Sequence, residues 1–463
     1  MVLKPPTRKL TYEEFIASKA IYDPPTGFEP SAIPSDLFGF QSDIVRWACR
    51  RGRAAIFADC GLGKSAMQLA WADQVVRHTS GAVLILAPIG VTHQTVREGQ
   101  KFGIEVKQVK IQGEIDGAGI YITNYEKLHR FDLSQFVAVV IDESSILKSY
   151  DGATRTAIIE ASRELPYRLA CTATPAPNDF MELGNHSQFL GVMKREEMLA
   201  TFFIHDGGDT SKWRLKGHAQ NDFWKWICSW AVNIRKPSDL GYPDEGFALP
   251  ALNIREHIVS TSQKLDGYLF ALPATTLQER RNARRNSLSE RVEKAAELVA
   301  DDSQWVLWCN LNDESEAIAE QLGAVEVRGS TSEEDRERII LGFLDGSIRR
   351  IVSKPSLWGF GLNLQCCHNA AFVGISDSYE QFYQAVRRFW RFGQVNPVNV
   401  HVVISELEGA VLSNIKRKEA DAQRMASEMI QHMRNISSNS IRGARRETEE
   451  YSPTLEMALP KFL

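Results

Sequence analysis

Short apolar runs, each closed by a polar or glycine-bearing turn and followed by a helical pattern, recur along the chain in two separate series. That rhythm belongs to buried parallel strands joined by crossover helices, and it constrains the fold more than any single motif. The first series occupies residues 54–58, 82–87, 120–123, 137–141 and 168–171; the second occupies 305–309, 325–328, 350–353, 371–375 and 400–404. Two series predict two α/β lobes, each built on a parallel sheet. Between them the alternation lapses over 191–290, and tryptophans accumulate at Trp213, Trp224, Trp226 and Trp230. Phe223, Ile227, Trp230 and Ile234 share one helical stripe, which predicts a helical insertion with its aromatics turned inward. The expected organisation is an N-terminal extension (1–36), a first lobe (37–190), the insertion (191–290), a second lobe (291–410) and a C-terminal helix and tail (411–463). Ser, Asn, Arg and Glu dominate from Asn435 onward, which predicts a frayed end.

Composition narrows the class. With 463 residues, 43% hydrophobic and 24% charged, the chain is neither disordered throughout, nor collagenous, nor a disulfide scaffold. A net charge of -4 means that a nucleic-acid partner must be met by local patches rather than by overall balance. One such patch is 278–294, with Arg280, Arg281, Arg284, Arg285, Arg291 and Lys294; it reads equally as a solvated helix face or as a set of phosphate contacts. No apolar run approaches the roughly 20 residues of a spanning helix, and the first ten residues lack a secretory core, so a cytoplasmic protein without membrane contact is expected. Seven cysteines without a CxxC pair and ten histidines without HExxH spacing argue against disulfide frameworks and zinc hydrolysis. Cys366 and Cys367 are read as core thiols.

Residues 58–65 (ADCGLGKS) follow one apolar run and open a helical pattern, the context a phosphate-binding loop requires. Gly61 and Gly63, flanking Leu62, let backbone N–H groups wrap phosphate oxygens, Lys64 supplies a point charge, and the Ser65 hydroxyl suits Mg²⁺. Ala58 stands where the usual first glycine would be. Residues 139–143 (VVIDE) end another run with adjacent carboxylates at the sheet edge where α/β folds bind ligands. Asp142 can hold Mg²⁺ while Glu143 orients or deprotonates an attacking water. Taken alone, this pair reads first as a helix N-terminus favouring negative charge. Around residues 384–394 (QAVRRFWRFGQ) and the three residues before them, Gln381, Gln384, Arg388 and Arg391 share one helical face and Phe382, Val386 and Phe389 the opposite one. Arginines facing a bound γ-phosphate stabilise the charge of its transfer; periodicity alone also fits an amphipathic surface helix.

Taken together, these motifs resemble superfamily 2 helicases, and within them the Swi/Snf group of double-stranded DNA translocases. The order runs through 37–41 (LFGFQ), the GLGKS loop, Ala87 and Pro88 with Gln94 and Glu98, 123–126 (TNYE), 142–148 (DESSILK), 168–175 (RLACTATP) with Asn178, 359–364 (GFGLNL) and 384–394, covering about 37–405. The resemblance implies two RecA-like lobes with a helical insertion between them and an ATPase using ATP and Mg²⁺. It implies that Gln41 contacts adenine, that Gly61, Leu62, Gly63, Lys64 and Ser65 hold the phosphates, and that Ser65 and Asp142 hold the metal. It further implies that Lys64, Asp142, Glu143, Gln384, Arg388 and Arg391 form the catalytic set, that Thr172, Thr174, Gly361 and Asn363 couple the lobes, and that double-stranded DNA is the partner. The family's DEAH box is DESS here, with Ser144 and Ser145 replacing its last two residues; Arg387 stands where the family carries aspartate and Thr95 where it carries tryptophan. A compact chain with a DESS box is similar to the solitary Swi/Snf-like helicases of bacteriophages and prophages. The expected activity is a DNA-stimulated ATPase tracking along duplex DNA, with a strand-separating helicase and a slowly hydrolysing clamp as alternatives.

Overall fold

The computed structural model of the protein describes residues 24–88, 91–148, 152–206, 209–260, 284–358 and 363–441. The first lobe carries β1 (Arg53–Ala58), β2 (Ala82–Ala87), β3 (Val106–Gln108), β4 (Gly119–Asn124), β5 (Ala138–Asp142) and β6 (Tyr167–Thr172). A hairpin of β7 (Phe203–Asp206) and β8 (Asp209–Leu215) follows, then β9 (Ala231–Ile234). β10 (Leu252–Val259), β11 (Trp305–Trp308), β12 (Val325–Val327), β13 (Arg350–Ser353), β14 (Asn369–Phe372) and β15 (Val398–Ser405) build the second lobe. The strand orders are β3-β4-β2-β5-β6-β1-β9 and β10-β15-β14-β11-β13-β12, and every pairing in these two sheets is parallel. Strands such as β2 (AVLILA) are buried along their whole length because helices cover both faces.

The stretch 191–290 is not wholly helical. It includes helices Arg195–Phe202 and Gln220–Trp230, but β9 extends the first sheet beside β1 and β10 edges the second beside β15. Ile234, placed by periodicity on the stripe with Phe223, Ile227 and Trp230, lies instead in β9: the helix stops at Trp230 and the backbone hydrogen bonds pass to β1. The aromatics do turn inward, since Phe223, Trp224, Trp226 and Trp230 are buried in one core cluster with Phe202 and Leu190.

A helix spanning Gly409–Ile441 crosses from lobe to lobe and continues past Asn435, where the composition reads as a frayed end. Near its start Val411 and Ile415 sit in the second lobe's core, whereas Met425, Met429 and Met433 are buried in the first. The Asn233 N–H donates to the Met433 sulfur at 3.1 Å, and the Cys228 thiol donates to the Met429 carbonyl at 3.6 Å. Among the described residues no helix is long and apolar enough to cross a membrane.

Candidate nucleotide site between the lobes

β1 ends at Ala58, and the chain must reverse into helix Lys64–Thr79 within a few residues. Gly61 and Gly63 make this possible with φ of 92° and 79°, in the left-handed region that side chains resist. A Cβ on Gly63 would strike the Gln41 amide, and one on Gly61 would strike the backbone nitrogen of Phe392 from the other lobe. The loop therefore wraps a space that must stay open, with the positive end of the helix aimed into it. The Lys64 ammonium rests on the Ala58 carbonyl at 2.8 Å. Gln41 ties the loop to the preceding helix: its amide nitrogen donates to the Leu62 carbonyl at 2.9 Å, and its carbonyl accepts the Phe38 N–H at 3.0 Å. That bracing role was not foreseen in the expectation of an adenine contact, and it leaves a second amide hydrogen to spare.

Two strands from β1, across β6, β5 delivers Asp142 and Glu143 to the same edge. Burial and the neighbouring Glu143 push the Asp142 carboxyl up to about 7, against the pull of Lys64. Tyr125 anchors this strand end by donating its hydroxyl to the Asp142 backbone carbonyl. Glu143 has φ of 57°, a left-handed conformation uncommon outside glycine and a local strain. Its carboxylate accepts from the Thr172 hydroxyl at 3.2 Å, and that hydroxyl accepts the Thr174 N–H at 3.1 Å. In the DESS box Ser144 is buried against His186, hydroxyl to Nε2 at 3.0 Å; burial depresses this imidazole to about 4 and keeps it neutral. A histidine thus stands beside the box, supplied by helix Leu183–Leu190 rather than by the box itself.

The second lobe closes the cleft. Gln384 reaches Glu143 at 3.5 Å, and its own carbonyl oxygen is buried without a hydrogen-bond partner. Arg388 and Arg391 line the same cleft as Lys64, Asp142 and Glu143, a space of about 420 Å³. They do not share a helix with Gln384: helix Tyr379–Val386 ends before them, and 387–393 is a chain of turns closed by Gly393 at φ 91°. The helix stops because the following segment must bury Phe389 in the second lobe's core, while the Gln394 amide caps the carbonyls of Gln365 and Cys367 at 3.1 Å each. Burial lowers the Arg388 guanidinium to about 10, which leaves it cationic at neutral pH. The Arg391 Nε is buried without a hydrogen-bond acceptor.

This segment decides the lobe. Residues 290–393 match the helicase conserved C-terminal domain. Both arginines and Gln384 fall inside the matched stretch, at its end. No curated protein matches the chain. Among solved structures, the SWI2/SNF2 ATPase core of Sulfolobus solfataricus in complex with dsDNA matches at 19% identity, over 90% of this chain and 98% of that chain, with a TM-score of 0.42.

The remaining expected residues fall as follows. Ser65 lines the cleft beside Lys64, and Asn363 lines it from the matched stretch, hydrogen-bonded to Gln365 at 3.2 Å. Gly361, Arg280 and Arg281 lie outside the described residues. Arg284 is not a phosphate contact: its side chain is 6% exposed and pairs with Glu408 at 2.6 Å in the core of the second lobe. Its neighbour Arg291, fully buried, pairs with Glu314 at 2.8 Å. Arg285 is exposed beside Asp313. Cys367 is buried, but Cys366 is exposed.

Four further residues were not legible as site residues. Phe38, Phe247 and Phe392 form an aromatic rim, with ring centroids 4.9 Å apart for Phe38 and Phe247 and 4.8 Å for Phe247 and Phe392. Asp59, on the phosphate loop, is held from the other lobe by Tyr383 and Arg387.

The cleft fits a magnesium nucleotide. Its glycines hold open a cradle at a helix N-terminus, and Asp142 is a buried carboxylate that a cation would ionise. Arg391 and Gln384 bring polar atoms that lack protein partners.

Proposed function

We propose that this chain is a nucleic-acid-stimulated ATPase that moves along duplex DNA by closing and reopening its two lobes. The observation that carries the reading is the convergence of Arg388 and Arg391 from one lobe with Lys64, Asp142 and Glu143 from the other in a single cleft. A site assembled from two bodies is complete only when they meet, which links catalysis to movement.

In this reading the loop amides and Lys64 bind and orient the phosphates. Ser65 and Asp142 would hold Mg²⁺, which would supply charge neutralisation at the phosphate oxygens. Glu143, held by Thr172 and Gln384, orients water and accepts its proton at the carboxylate oxygen. Arg388 and Arg391 meet the charge that develops on transfer, an effect of roughly 10³ to 10⁵ in rate in other nucleotide hydrolases. The aromatic rim of Phe38, Phe247 and Phe392 offers the nucleobase a flat apolar wall. The assignment to the Swi/Snf-like kind rests on the motif order, and the helicase C-terminal match supports it. Gripping a duplex by its phosphates predicts sequence-independent, salt-sensitive stimulation.

The test is ATP hydrolysis by the full chain with duplex DNA, single-stranded DNA and RNA at two salt concentrations. The expected result is many-fold stimulation by duplex that weakens at high salt and disappears in Lys64→Ala. Stimulation by RNA alone would remove the duplex translocase, and turnover unaffected by Lys64→Ala would remove the ATPase.

A further inference from the structure

The lobes touch at a charged contact that the phosphate-transfer residues leave unexplained. Asp59, the second residue of the 58–65 loop, carries an ion pair with Arg387 and accepts the Tyr383 hydroxyl. Arg387 and Asp59 side chains are 5% and 15% exposed, so the pair is shut away from water. The guanidinium is held in place on its own side: Nε donates to the Tyr383 oxygen at 3.3 Å, Nη1 donates to the Trp390 carbonyl at 3.1 Å, and the Trp390 ring lies 4.6 Å away. Asp59 is held on the other side, where its carboxylate accepts the Cys60 N–H at 2.7 Å and its own N–H donates to the Ile234 carbonyl at 2.9 Å. Each end is thus also held by contacts within its own lobe.

Two features make this more than a surface ion pair. Arg387 immediately precedes Arg388, and the turns after it carry Arg391 and Phe392, whose backbone nitrogen abuts Gly61. Wherever Arg387 docks, the cationic segment lands on the phosphate loop. Burying two ions is also costly unless they meet with good geometry, so each lobe alone would expose or strand its charge. The charge at 387 is the reverse of the aspartate in the resembled family, which makes the contact a property of this chain's own pairing.

We propose that Arg387 is a positioning residue that docks the second lobe on the 58–65 loop through Asp59 and Tyr383, setting where Arg388 and Arg391 stand against that loop. The proposal rests on the ATPase reading for its kinetic consequence, but the docking itself does not.

The experiment is a double-mutant cycle of Asp59→Asn and Arg387→Gln, with the charge-reversed pair Asp59→Lys/Arg387→Glu and the isosteric Tyr383→Phe, all in the full chain. Each protein is read by kcat, by the Kd for ADP with Mg²⁺, and by amide hydrogen exchange of peptides spanning 58–65 without nucleotide. Arg387→Gln is expected to lower kcat about tenfold or more while the Kd changes less than about threefold. It should also speed exchange across 58–65 about tenfold. Asp59→Asn should match it, the double variant should be no worse than either single one, and the reversed pair should regain most of both losses. Tyr383→Phe, which removes one hydroxyl and leaves the packing intact, should give a smaller loss in the same direction. Additive losses in the cycle, no rescue by the reversed pair, or unchanged exchange across 58–65 would overturn the docking role. A Kd that rises by as large a factor as kcat falls would likewise overturn it, because Arg387 would then be a binding residue. If the unaltered chain hydrolyses no ATP, the ATPase reading fails, and the exchange measurements still decide for or against docking.

Discussion

Replacing Asp142 by asparagine isolates the cost of keeping an anion ready for a metal. In the folded chain the carboxyl is lifted from an ordinary value of 3.8 to about 7 by burial and by Glu143. One unit corresponds to about 1.4 kcal/mol, so the full rise opposes folding by about 4 kcal/mol once the pH exceeds both values. Because the folded carboxyl keeps its proton up to about pH 7 whereas the unfolded chain releases it near pH 4, raising the pH across that window favours the unfolded chain. Asparagine carries no such penalty. Asp142→Asn should therefore match the unaltered protein near pH 4 and exceed it in stability by a margin that grows to a few kcal/mol by pH 8. About 4 kcal/mol is the ceiling, since the new amide must itself be buried with imperfect hydrogen bonding. The assay is urea unfolding of both proteins from pH 4 to 8.5 in chelator without nucleotide. Adding Mg²⁺ and ADP should then stabilise the unaltered chain far more than the variant, because only a carboxylate offers the cation an opposing negative charge. Parallel stability curves at all pH values, or a variant less stable at pH 8, would refute the buried-anion account.

Further outcomes follow from the same geometry. Glu143→Gln keeps the shape and removes the base, so hydrolysis should drop at least about a hundredfold with nucleotide affinity retained, measured by turnover and by titration calorimetry. Gly63→Ala meets both the φ of 79° and the Gln41 amide; it should cost about 1–3 kcal/mol of stability and most of the nucleotide affinity, seen in unfolding and in ADP titration. Arg284→Ala strands Glu408 in the core and should cost about 3–5 kcal/mol while leaving DNA affinity unchanged at fixed salt. A selective loss of DNA affinity with normal stability would contradict that placement.

The parts legible in the sequence were those in which local pattern and tertiary role coincide. β2 and β13 fall on the apolar runs 82–87 and 350–353 because both faces of these strands are buried and nothing interrupts the run. The tight reversal at 58–65 was legible because glycine at 61 and 63 answers a backbone demand that no other residue meets as cheaply. Illegible were the elements decided by distant partners. β9 follows a helix without a turn, and its Ala-Val-Asn-Ile suits either period until β1 lies beside it. β10 (LNIREHIV) interrupts its apolar residues with Arg255, Glu256 and His257 at a sheet edge, where one neighbour supplies all the pairing. The segment 387–393 has helical periodicity, yet it unwinds so that Phe389 can be buried and Arg387 can reach Asp59. The basic stretch at Arg284 and Arg291 read as surface because buried arginines are uncommon, and their acceptors Glu408 and Glu314 are far away in sequence.

The helix Gly409–Ile441 places a restriction on any motor built from this chain. At about 1.5 Å per residue its 33 residues make a rod of about 50 Å, rooted by Val411 and Ile415 in one body and by Met425, Met429 and Met433 in the other. Any swing of the lobes would have to bow this rod or let the methionines creep along their groove, a slip that unbranched thioethers tolerate better than any branched side chain. The reach of such a swing would then be set by the stiffness of one helix whose two ends are rooted in different cores.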